Sequence, residues 1–72
     1  MDVFQIKKLQ DLEYRVAELK KELRRIKSTI NKVEKLGLTI PSELLFKKEN
    51  IEDELKERKQ ELKALKKFAK LI

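Results

Sequence analysis

Leu9, Leu12, Val16, Leu19, Leu23, Ile26, Ile30 and Val33 follow one another at steps of 3, 4, 3, 4, 3, 4 and 3 residues. This is an unbroken heptad seam, the apolar stripe of a coiled-coil helix, with Leu9, Val16, Leu23 and Ile30 at a and Leu12, Leu19, Ile26 and Val33 at d. A second seam begins at Leu44 and runs through Lys48, Ile51, Leu55, Arg58, Leu62, Leu65, Ala69 and Ile72, again alternating steps of 4 and 3. Two of its positions are basic, Lys48 at a and Arg58 at d. Such residues can fix register or receive an acidic partner. The simpler reading, favoured here, packs their aliphatic stems in the seam and leaves the charged heads in water.

Between the seams lies "KLGLTIPSELLF", which holds the one glycine and the one proline of the 72 residues. Gly37 can take the left-handed conformation that ends a helix, and Lys35 lies in the last turn, where the helix dipole favours a cation. Pro41 disfavours helical geometry at Ile40 and suits the first helical position, with Glu43 on the favourable side of the dipole. Asp2 followed by Gln5 resembles a capping box for the first helix. The pattern predicts a single domain over residues 1–72, with helix 1 over about 3–36, a turn at 37–40 and helix 2 over about 41–70. So short a connection sets neighbouring helices antiparallel. The expected fold class is all-α: an antiparallel helical hairpin, a two-helix coiled coil, dimerising into a four-helix bundle. The competing picture is one long helix kinked at Pro41 in a parallel dimer.

Two registers fit the hairpin. If facing residue numbers total 81, Ile30 meets Ile51 and Val16 meets Leu65, with Lys27 near Glu52 and Glu13 near Lys66. If they total 74, the helices overlap over their full length and Lys20 lies near Glu52. Charge favours the antiparallel arrangement either way. Residues 20–35 carry seven basic and two acidic side chains, and residues 43–54 carry five acidic and two basic, so the two stretches are expected to neutralise each other. Within helix 2, Glu43–Lys47, Glu52–Lys56 and Glu54–Arg58 have the favourable i, i+4 order.

A two-helix seam leaves apolar residues over. Near the turn they are Leu36, Leu38, Ile40, Leu45 and Phe46, and at the open end Val3, Phe4, Ile6, Phe68 and Leu71. Clustered apolar groups mark contact surfaces. The expected protein interface is Phe4, Ile6, Leu38, Ile40, Leu45, Phe46, Phe68 and Leu71, covered in a homodimer that brings the turn of one chain toward the open end of the other. The mostly polar e and g positions argue for a narrow two-stranded seam in the middle. The rival arrangement is a monomeric hairpin that presents its ends to another protein.

Composition removes most chemistry. The absence of cysteine and histidine excludes disulfides, zinc fingers, thiol nucleophiles and the usual imidazole base. Ser28 and Ser42 lack an activating histidine. Glu49, Glu52, Asp53 and Glu54 lack the Glu-x-x-His pairs of a di-iron bundle. No enzyme, cofactor or metal is expected, and with no signal-peptide or membrane-spanning run the expected location is cytoplasmic. Richness in Lys, Glu, Leu and Ile also matches a hyperthermophile bias, although any long helix shares it.

A net charge of +6 raises a second function. Lys20, Lys21, Arg24, Arg25 and Lys27 crowd helix 1 and could meet phosphates in a nucleic acid. The interspersed acids and the absence of a glycine-rich loop or stacking aromatic pair favour a solvated face instead. In the C-terminal run, Lys63, Lys66, Lys67 and Lys70 share one side and Leu62, Leu65, Phe68, Ala69 and Ile72 the other, as in an interfacial membrane helix. The preserved heptad phase explains the same residues as core. In outline the chain is similar to small bacterial helical-hairpin regulators that dimerise, the plasmid copy-number RNA-binding hairpins and the sporulation-phosphatase hairpins. The Ser-Gln-Glu-Leu-Asp signature of the latter is absent, and "KKENIEDEL" does not replace it. The sequence reading is a non-catalytic adaptor or regulatory protein acting through self-association and an unidentified protein partner, with nucleic-acid binding as the alternative.

Overall fold

The computed structural model describes residues 3–70, the side chains of residues 69 and 70 apart. Asp2, the expected helix cap, and Leu71 and Ile72, expected at the interface and the seam, lie outside the described residues. The described residues form two helices, α1 (Val3–Lys35) and α2 (Ser42–Lys70). They pack against each other as an antiparallel hairpin, with no strand among the described residues. At 1.5 Å per residue a 33-residue helix is about 50 Å long. The molecule measures 54 × 16 × 14 Å, so it is a rod one hairpin long and two helices wide.

The reversal is built by the backbone around Gly37. Its φ of 72° is left-handed. That conformation lets the Leu38 N–H donate to the Val33 carbonyl at 3.2 Å and the Gly37 N–H to the Glu34 carbonyl at 3.0 Å. These are the two bonds of a Schellman motif, which satisfies carbonyls that a helix end would otherwise leave open. A Cβ at position 37 would meet nothing within 4 Å, so the need for glycine there is one of backbone conformation and not of space. Pro41 sits one place earlier than expected. It is the residue before α2, and its carbonyl accepts from the N–H groups of Leu44 at 3.1 Å and Leu45 at 3.4 Å. The missing N–H of proline costs nothing at this position. Lys32 and Lys35 close the last turn of α1 and Glu43 lies in the first turn of α2, each on the favoured side of its dipole.

The core is the heptad seam. Leu12, Val16, Leu19, Ile26, Ile51 and Leu55 are buried. Leu23, Ile30 and Leu62 are partly buried and pack against the cluster. Each buried aliphatic side chain contributes roughly 1.5–3 kcal/mol. Leu19, at 1% exposure, is the most fully enclosed among the described residues.

Of the two cross-helix ion pairs, one decides the register. Arg15 meets Glu54 at 2.8 Å and Lys66 meets Glu13 at 3.7 Å. The residue numbers of these pairs total 69 and 79, symmetric about 74. In the 74 register each pair spans about 7.5 Å along the axis, within reach of two long side chains. Glu13–Lys66, expected for the 81 register, would fit that one too, at about 3 Å along the axis, but Arg15 and Glu54 would there be about 18 Å apart, too far for their 2.8 Å contact. The helices therefore overlap from end to end. Leu19 faces Leu55, Val16 faces Arg58 and Ile26 faces Lys48.

Lys48 follows the simpler reading, and Arg58 follows it only in part. Lys48 and Arg58 are half-buried; the Lys48 ammonium reaches Glu52 at 3.6 Å and the Arg58 guanidinium reaches Glu61 at 2.8 Å and Glu57 at 3.3 Å. The Nε of Arg58 stays within the seam without a hydrogen-bond partner. Of the three i, i+4 pairs expected from the sequence, Glu43–Lys47 is not among the ion pairs of the described residues and the other two are replaced. Glu54 crosses to Arg15, Glu52 turns back to Lys48, and Arg58 turns to its i+3 neighbour.

Because so few side chains form the core, removing one has a large effect. Leu19→Ala should cost about 2–5 kcal/mol, against less than about 0.5 kcal/mol for the exposed Lys21→Ala. Urea titration followed by circular dichroism measures both. Equal costs would show that the seam is not where stability resides.

Candidate interaction surface

The turn and the open end carry most of the exposed apolar surface. At the turn Leu36, Leu38 and Phe46 are 72%, 61% and 64% exposed, and Leu45 is also exposed. Ile40 is half-buried, so it contributes less to this surface than the sequence suggests. At the other end Val3 and Phe4 are almost free of contacts, and Ile6 and Phe68 are exposed. The heptad explains the placement. Phe68 falls at g, Leu45 at e and Phe46 at f, outside the a and d rows that a two-stranded seam buries, while Leu36 and Leu38 lie in the turn beyond the end of α1. The predicted interface residues that are described thus fall into two separate patches at opposite ends of the rod, with Ile40 half-buried at the turn and Leu71 outside the described residues.

The basic residues of α1 behave differently from expectation. Lys20, Lys21, Arg24, Arg25 and Lys27 are all exposed. None makes an ion pair within the described residues. The expected mutual neutralisation of residues 20–35 and 43–54 is not realised as ion pairs. Heptad position again gives the reason. Lys21, Arg24 and Arg25 occupy f, b and c, and Glu49 and Asp53 occupy b and f, so these charges point away from the partner helix.

A groove missed in the sequence runs beside the seam between the two helices. It encloses about 490 Å³ over a floor of Val16 and Leu62. Lys20 lines it from α1, and Lys59, Lys63, Lys66 and Lys67 from α2. The C-terminal lysines were legible as one face of a helix, but their meeting with Lys20 depends on the register. The 74 register sets the e positions Lys20 and Lys59 on the same flank, with Glu13 reaching only Lys66.

On the opposite part of α1, Tyr14 and Glu18 stand on neighbouring turns. A hydrogen bond from the phenol to the Glu18 carboxylate, with the carboxylate's negative charge, raises the Tyr14 pKa above the ordinary phenol value. The Arg15 pKa is raised further by its hydrogen bond and charge contact with Glu54, so it stays cationic throughout. Among the described residues no group of acidic side chains is placed to hold a metal ion, and no helix is long and apolar enough to cross a membrane. Compared with protein-family models, curated proteins and solved structures, the chain finds no match in any of the three.

As the chain has one tyrosine, its ionisation is cleanly observed. An alkaline absorbance titration should place the Tyr14 midpoint above that of a free phenol. Glu18→Gln, which removes the charge, should bring it down. An unchanged midpoint in the variant would remove Glu18 as the cause.

Proposed function

We propose that the protein is a non-catalytic helical-hairpin adaptor or regulatory protein that works by self-association and by contact with a protein partner. The observation that carries this reading is the pair of apolar patches left open at the two ends of the rod. Leu36, Leu38 and Phe46 at one end and Val3, Phe4 and Phe68 at the other are each more than half exposed. Covering one such side chain is worth roughly 1.5–3 kcal/mol, more than any exposed ion pair on this surface. An antiparallel homodimer sets the turn of one copy near the open end of the other and covers both patches together.

Sedimentation equilibrium tests the reading: a dimer is expected at micromolar concentration. Phe46→Glu should lower self-association at least tenfold while the helical circular dichroism signal persists. A wild-type monomer at these concentrations would contradict self-association.

A second reading, a nucleic-acid-binding regulator, draws on the five exposed cations of α1 that lack ion-pair partners. Its signature would be affinity for RNA or DNA that falls steeply with salt. Absence of binding at low salt, where phosphate contacts are strongest, would eliminate it.

A further inference from the structure

The outer surface of α2 is divided by charge. Its turn-proximal half presents Leu45, Phe46, Glu49, Glu52 and Asp53, and its other half presents Lys56, Lys59, Lys63, Lys66 and Lys67. All lie in the b, e and f rows, outside the a and d rows of the seam, with Lys59 and Lys66 of the e row flanking α1. Most of these charges have no ion-pair partner. Glu52 is held by Lys48 at 3.6 Å and Lys66 by Glu13 at 3.7 Å, whereas Glu49, Asp53, Lys56, Lys59, Lys63 and Lys67 are in no ion pair within the described residues. A helix face acidic at one end and basic at the other is complementary to itself when reversed. The lysine-walled groove sits in the basic half, and its floor is apolar at Val16 and Leu62.

We propose that the occupant of this groove is a second copy of the chain, seated with its α2 antiparallel to the first α2 about a two-fold axis near residue 56. This rests on the self-association proposed above and assigns the face through which it occurs. Residue 56 is the midpoint of α2, which runs Ser42–Lys70, so the two rods overlap fully. About that axis facing residue numbers total 112. Glu49 of each copy meets Lys63 of the other, and Asp53 meets Lys59. Phe46 of each copy reaches the apolar floor of the other's groove. A two-fold contact uses the same patch on both subunits, so each attraction occurs twice. The two-fold axis does bring Lys56 beside its own copy, one like-charge contact against four attractive ones, whereas the parallel pairing of the same faces would set lysine against lysine and carboxylate against carboxylate throughout.

Reciprocal charge reversal tests the arrangement. K59E/K63E and E49K/D53K are each expected to weaken self-association at least tenfold in sedimentation equilibrium, with helicity by circular dichroism as the control for folding. An equimolar mixture of the two variants restores both sets of attractions and should give a heterodimer of near wild-type affinity. Wild-type association should also weaken as salt rises. If the wild type dimerises but neither variant changes its affinity, or the mixture fails to restore it, the α2 face is wrong while self-association stands. If the wild type is a monomer, both fall.

Discussion

A two-helix coil has a single seam to bury, and the register in which that seam closes governs the rest of this molecule. With facing residues totalling 74, Leu19 and Leu55 occupy the middle of the rod, Val16, Ile26 and Ile51 flank them, and the helices end together. The same register decides which charges share a flank. It sets Lys20 beside Lys59 and makes a basic groove where a shift of one heptad would have made a different surface. The left-handed Gly37 and the two bonds that close the end of α1 permit the reversal, but they do not select the register. That selection comes from the apolar overlap along the full length, with the Arg15–Glu54 and Glu13–Lys66 pairs fitting it from both sides.

The narrowness of the seam also explains the surface. Only a and d positions are enclosed, so apolar residues at b, e, f and g have nowhere to go within one chain. Phe46 and Leu45 are exposed for this geometric reason. The charged residues obey the same rule. Arg24, Arg25, Glu49 and Asp53 lie near one another in a charge count by segment, yet their heptad positions direct them outward. The consequence is a rod whose apolar seam is buried internally, with the Arg58 Nε left unpartnered within it, and whose ends and outer faces retain exposed apolar groups and unpaired charge.

Much of this was legible in the sequence. The 3–4 spacing from Leu9 to Val33 is sustained over four heptads, and the lone glycine and proline mark the reversal to within a residue at the end of each helix. The register was not legible, because successive heptads carry similar Leu, Ile and Val residues and both alignments bring an a position against a d position. Nor were the particular ion pairs. Each is worth a few tenths of a kcal/mol, and a long side chain such as that of Glu54 has partners on its own helix and on the neighbouring one. The lysine groove followed the register out of view. Five of its lining residues are visible as separate cations, but their convergence is a property of the paired helices.

The measurement that most directly tests the account is intrachain thiol pairing in this cysteine-free chain. Leu19→Cys combined with Leu55→Cys should cross-link rapidly under mild oxidation into a species of monomer mass. Leu19→Cys combined with Leu62→Cys, which the 81 register would align, should not. Efficient closure of the second pair in preference to the first would contradict the register, and cross-links found only between chains would contradict the hairpin itself.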